Sequence, residues 1–238
     1  MNKESNKLCK QTHQQGNVIF YVLLGIVLIG LLTVALRSSN GTKEDIDTED
    51  LILKATQVER HAQEVAQAVA SLLSEQTSEA ELRFAPPDDN STSYGDITTT
   101  PTKQIFSPQG GKIPYRAAPP GVQTTPSNWE FFATSRIPQV GSDRSELIAV
   151  LPNVTQAFCQ VMNQHLGFAA ASQPTDSSTG TSPDCVQGLN ADRFAGTFND
   201  TSPNVLDKTT FSKLPALEAC VKCASDNTYN YFYVLMAR

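Results

Sequence analysis

Nineteen consecutive uncharged residues, Val18 to Leu36, constrain this chain more than any other feature. As an α-helix they rise about 28 Å, close to the hydrocarbon thickness of a bilayer. Gly25, Gly30 and Thr33 are compatible with that reading, since small residues are common in membrane helices. Lys3, Lys7 and Lys10 precede the run, and the acidic stretch KEDIDTED (Lys43 to Asp50) follows it. The positive-inside bias therefore predicts a single-pass transmembrane helix over 17–37, with a cytoplasmic N-terminus and the bulk of the chain outside. A secretory signal peptide would have a shorter apolar region and a small-x-small cleavage site. TVALRSSNG offers a poor one. An uncleaved anchor and a helix released from its leader both stay open at this point.

The 238 residues leave room for one or two modest domains beyond that helix. Of 18 basic and 24 acidic residues, four and one lie in 1–37, leaving 14 and 23 for the remainder. A remainder of such negative balance repels phosphate backbones, which argues against nucleic acid as a partner.

The leader 1–16 is hydrophilic and basic and ends in Gly16, immediately before the apolar run. That arrangement resembles the prepilin leader of type IV pilins and pseudopilins. In that family a peptidase cuts after the Gly on the cytoplasmic side, and the helix remains as the filament-forming stem. The resemblance implies processing between Gly16 and Asn17. The fifth mature residue, usually Glu, is Tyr21 here, and NVIFY replaces the usual opening. RSSNGTKEDID (Arg37 to Asp47) should also interrupt a helix that pilins carry on unbroken.

From Thr48, a candidate cap, helical patterning resumes. Leu51, Ala55, Val58, Ala62, Val65, Val69 and Leu72 alternate steps of four and three, a heptad seam on an amphipathic stem helix within 38–84. Two readings of the seam stand: packing on the protein's own sheet, or association with neighbouring subunits. His61, beside Arg60, falls in the polar remainder and is read as solvated. APPDDNSTSYGDITTTPTK (Ala85 to Lys103) reads as a linker.

The remaining stretch, 104–238, is predicted to form an external α+β domain. QIFSPQGGKIPYRA (Gln104 to Ala117) reads as a hairpin turning at Gly110-Gly111. WEFFATSRI (Trp129 to Ile137), ELIAVLP (Glu146 to Pro152) and RFAGTFN (Arg193 to Asn199) read as strands. YNYFYVLMAR (Tyr229 to Arg238) reads as an interior strand. NVTQAFCQVMNQHLG reads as a helix capped by Asn153 and ended by Gly167, with His165 at the edge of its apolar face. The expected fold class is thus α+β: a transmembrane helix and a stem helix, then a small, mainly antiparallel β domain with one packed helix. The run from IFSPQGGKIPYRA through WEFFATSRI and NVTQAFCQVMNQHLG to YFYVLMAR, together with the Gly-Asn-Val leader, resembles a group of uncharacterised bacterial membrane-anchored proteins. That likeness implies an inner-membrane location and a pilin-like N-terminus.

Cys9 lies in the leader, while Cys159, Cys185, Cys220 and Cys223 fall in the external half. Four cysteines beyond a membrane suggest two disulfides in an oxidising compartment, with three connectivities open. Cys159 with Cys220 is the preferred single pairing. CVKC (Cys220 to Cys223) lacks the βαβ context of a redox motif, and a zinc site would need Cys159, Cys185 or His165 at unconvincing spacings. GSDRSE (Gly141 to Glu146) holds Asp143 and Glu146, read as a solvated turn. Three histidines make no His-rich metal site. No nucleotide-binding or hydrolase motif occurs, so neither an enzyme, a metal nor a cofactor is expected. The predicted role is that of a minor pilin- or pseudopilin-like structural subunit. Its partners would be membrane lipid and other proteins, met through the transmembrane helix and the Leu51–Leu72 stripe. The alternative is an uncleaved anchor whose periplasmic or extracellular domain binds a partner or ligand.

Overall fold

A computed structural model of the chain describes residues 16–39, 43–87, 94–169, 173–176, 185–188 and 190–238. The leader residues 1–15 and Gly41 lie outside the described residues. Two compact units emerge, 1–47 and 48–238.

In the first unit, helix α1 spans Gly16–Ser39. The membrane-spanning assignment of 17–37 is corrected here. Among the described residues no helix is long and apolar enough to cross a membrane. The apolar side chains described on α1 run from Phe20 to Leu32.

The second unit is one α+β body, which replaces the expected succession of stem helix and separate β domain. Helix α2, Lys43–Ser74, begins five residues before the expected cap Thr48. Its seam is the cause of its placement. Ala55, Val58, Ala62, Val65, Val69 and Leu72 are each at most 2% exposed and belong to the same core as the sheet. The stripe therefore packs on the chain's own core, the first of the two readings above. Gln76, at φ 69°, ends α2: Thr77 N–H donates to Leu72 O (3.1 Å), the crossing bond of a Schellman-type stop.

Six strands follow: β1 Glu130–Arg136, β2 Glu146–Leu151, β3 Thr175–Asp176, β4 Asn204–Val205, β5 Glu218–Cys223 and β6 Tyr229–Met236. They lie in the order β3-β5-β6-β2-β1-β4. The four central strands pair antiparallel. Both edges are two-residue parallel pairs, β1 with β4 and β5 with β3. The sheet is thus mixed, where a mainly antiparallel one was expected. The interior position of β6 follows from its apolar residues on both faces.

Side-chain alternation sorts the sheet. Phe131, Ala149, Tyr231 and Cys220 share one face through the registers Phe131–Ala149 and Cys220–Tyr231. Helix α3, Gln156–His165, covers part of that face and joins it through Cys159. The opposite face carries Phe132, Ile148 and Val234. Gly188 lies against it, since a Cβ there would meet the Phe132 ring at 3.0 Å. Two helices, not one, therefore serve the core.

Four local expectations differ from the structure. Thr155, not Asn153, caps α3: its Oγ1 accepts from Phe158 N–H at 3.2 Å. Asn153 is instead a left-handed residue (φ 54°) whose N–H donates to Asn230 Oδ1 at 3.0 Å. Gly167 (φ +83°) closes the helix where expected. No hairpin forms over 104–117; the segment is a compact turn anchored by the bridge between Arg83 and Gln104. Gly110 and Gly111 are needed there for close approach, since a Cβ would fall 2.2 Å from Gln104 O and 2.4 Å from Ile105 O. The strand expected over 193–199 is reduced to a single bridge between Phe132 and Arg193. Within the stretch read as a linker, Ala85 and Tyr94 are buried, and Tyr94 Oη accepts from Phe131 N–H at 2.7 Å.

Candidate functional site

The described residues of helix α1 are Gly16–Ser39. Its large apolar residues from Phe20 to Leu32 are exposed by 47% to 65%, and Tyr21 stands among them at 64%. Phe20, Leu24 and Leu28 lie on one side of the helix; Val22, Ile26 and Ile29 lie on another. A helix apolar all round has no solvent face, and its physical resting state is burial in something larger. Contiguous apolar exposure of this extent marks an interaction surface. Gly16 and Asn17 are helical, but their side chains lie outside the described residues.

The cysteines form two disulfides, Cys159–Cys220 and Cys185–Cys223. Strand geometry explains the pairing. Cys220 and Cys223 both lie on β5, three residues apart, so they point to opposite faces of the sheet. They can neither bond to each other nor share a metal. Cys220 faces α3 and Cys159, whereas Cys223 faces Cys185 on the other side. Asn163 on α3 reinforces the first junction: its Nδ2 donates to Cys220 O and its Oδ1 accepts from Cys220 N–H, both at 2.8 Å. One helix side chain thus completes the backbone pairing of a strand residue. Among the described residues no cluster of His, Cys, Asp and Glu could hold a metal ion.

The polar residues singled out by sequence do not converge. Asp143 lines an open cavity of about 710 Å³ with Arg136, Val205 and Lys208. Glu146 is fully buried behind that turn, where a solvated position was expected. Its Oε2 accepts from Ile137 N–H at 2.9 Å, while Oε1 has no hydrogen-bond partner. Burial pushes the carboxyl up to about 7, against the opposing pull of the Ile137 N–H and of Arg136. His165 lies elsewhere: its Nε2 meets Glu59 Oε2 of α2 at 3.1 Å, tying the two helices. Beside them Tyr231 Oη donates to Glu218 Oε2 at 2.9 Å, and burial holds the Glu218 carboxyl above its ordinary value. Neither Glu59, His165 nor Glu218 lines the open cavity or the smaller one beside α2. Their arrangement is that of a latch at the surface, where α2 meets α3.

His61 is the residue that sequence reasoning misplaced most. It is 3% exposed, packed edge-on against Trp129 with ring centroids 5.7 Å apart, and stacked toward Phe106. Burial, and then the Arg116 charge, lower its pKa to about 4. The signal that could have found it is spacing. His61 and Ala68 are seven residues apart and flank the seam, which widens the buried stripe beyond the heptad positions.

The two buried groups make opposite contributions to stability. His61, lowered in the fold, contributes stability present above its unfolded value of 6.5 and lost as pH falls toward 4. Glu146, raised in the fold, contributes stability present below its unfolded value of 4.5 and lost as pH rises through about 7. The windows overlap, so these two contributions offset one another between roughly pH 4.5 and 6.5. Removing either group unmasks the other. His61→Phe should give stability that falls as pH rises through this window, and Glu146→Gln stability that rises. Each slope should amount to about 1–2 kcal/mol across the window. Denaturant titrations at several pH values check this; parallel profiles for both variants would contradict it.

No protein-family model, curated protein or solved structure matches the chain.

Proposed function

We propose that the chain is a pilin- or pseudopilin-like structural subunit that assembles with other subunits through α1. Its residues 48–238 would form a disulfide-stabilised head in an oxidising compartment of a bacterial envelope. The observation that carries this reading is α1 itself: every large apolar side chain described on it is exposed, and covering one such side chain stabilises by about 1.5–3 kcal/mol. A bundle of like helices supplies that cover, with Gly25 and Gly30 allowing close approach. The basic, hydrophilic leader that ends in Gly16 just before the apolar run is the ground for proposing its removal between Gly16 and Asn17. Tyr21 would then take the place of the usual Glu, so subunit register would rest on packing instead of a buried carboxylate. No catalysis is required of such a subunit; its work is binding.

A photo-crosslinking residue at Leu28 in the native host tests the reading. Adducts to copies of this chain or to other α1-like helices are expected. Adducts confined to lipid, or none, would overturn it.

A further inference from the structure

A cavity of about 240 Å³ lies between α2 and the segment 116–119. Its floor is His61 and Trp129, which are 3% and 2% exposed. Arg60 and Arg116 stand at its rim, and Ala118 and Pro119 form a wall. Three nitrogens of the floor, both of His61 and Nε1 of Trp129, have no hydrogen-bond partner among the described residues. Groups left so usually mark an acceptor or donor supplied from outside, since an unmet buried polar group costs about 1–3 kcal/mol.

The rim has its own surplus. Arg116 gives Nη1 to the Glu64 carboxylate at 2.9 Å, and its Nη2 and Nε remain available on a half-exposed side chain. Arg60 Nε reaches the same carboxylate at 3.4 Å. One carboxylate faces two guanidiniums, so the rim retains a single positive charge. His61 Nδ1 lies 4.0 Å from that carboxylate, at the far limit of an ion pair. The imidazole is neutral near pH 7. The walls are apolar and aromatic, and two flat rings form the base.

We infer that this cavity is a binding site for a small organic monocarboxylate with a flat apolar body. The carboxylate is held by the free guanidinium nitrogens of Arg116, with one oxygen offered to the Trp129 indole N–H. The apolar body lies against the Trp129 and His61 rings and the Pro119 wall. One net positive charge matches one carboxylate and leaves a dianionic phosphate undercompensated. The volume falls below the roughly 300–1,000 Å³ of pockets for drug-sized ligands, which restricts the occupant to about one ring. The assembly reading uses α1 and leaves this cavity free, so the two stand or fall separately.

Trp129 is the chain's one tryptophan, so its indole resonance reports the site without ambiguity. The full-length protein in detergent, ¹⁵N-labelled, is titrated with benzoate and, separately, with neutral benzamide. A saturable shift of the indole N–H with benzoate is expected, with benzamide at least tenfold weaker. Arg116→Gln should weaken benzoate at least tenfold, and Ala118→Phe, which fills the cavity from its half-buried wall, should abolish the shift. Unchanged backbone resonances elsewhere establish that each variant is folded. A linear, unsaturable shift, equal responses to benzoate and benzamide, or full binding by both folded variants would each overturn the proposal.

Discussion

Removing the Cys159–Cys220 disulfide by Cys159→Ala and Cys220→Ala is expected to destabilise the 48–238 unit by about 4 kcal/mol. The bond closes a separation of 61 residues, and the chain-entropy model gives about that value for such a loop, within the usual 2–4 kcal/mol range or slightly above it. Cys185–Cys223 closes 38 residues and should give slightly less. The two loops interlace along the chain, so removing both should cost less than the sum of the single effects. A unit of this size should lose roughly 10 °C of Tm with the first bond. The local effect should also differ between the bonds. Loss of the first loosens α3 from β5, leaving Asn163 as their remaining polar tie. Loss of the second releases Cys185 and the Gly188 segment that lies against the Phe132 face. Thermal unfolding and amide exchange read both effects. A Tm within 2 °C of wild type after either removal would contradict the account.

The second large effect concerns α1. Leu28→Asp removes an apolar side chain whose covering contributes about 1.5–3 kcal/mol. It also places a carboxylate in the proposed interface, where desolvation costs several kcal/mol more. At 1.4 kcal/mol per decade, assembly should weaken at least about a hundredfold. Leu217→Asp is the control: Leu217 is 51% exposed but lies on the second unit, outside α1. That change should leave assembly intact. Comparing the size of gently extracted complexes for the two variants checks the prediction. Equal loss with both, or no loss with Leu28→Asp, would place the assembly surface somewhere other than α1.

Much of the second unit is legible in the sequence because its elements carry strong, simple periods. The heptad spacing of Leu51 to Leu72 produced α2, and the doubly apolar run Tyr229 to Met236 produced the interior strand β6. The errors have physical causes. Asn153 and Thr155 are both good caps two residues apart, and only tertiary contact with Asn230 decides between them. Gly110-Gly111 reads equally as a hairpin turn or as a close approach, and the approach to Gln104 and Ile105 prevailed. The two-residue edge strands β3 and β4 are too short to leave a pattern. His61 looked solvated because a seam of seven positions understates the stripe that a two-sided core buries. Glu146 looked solvated because it adjoins the polar Asp143 and Arg144, which are exposed, but it opens β2, a strand buried on both faces. The membrane span was read from composition over 17–37, and among the described residues no helix is long and apolar enough to cross a membrane. What remained visible from both directions is the apolar character of α1, next to the Gly16–Asn17 junction read from the sequence.

That junction is also where the account is most directly tested. The intact mass and N-terminal sequence of the protein taken from its native host should show a chain beginning at Asn17, sixteen residues shorter than the full sequence. A chain that keeps Met1 to Gly16 would contradict leader removal and, with it, the pilin-like assembly role.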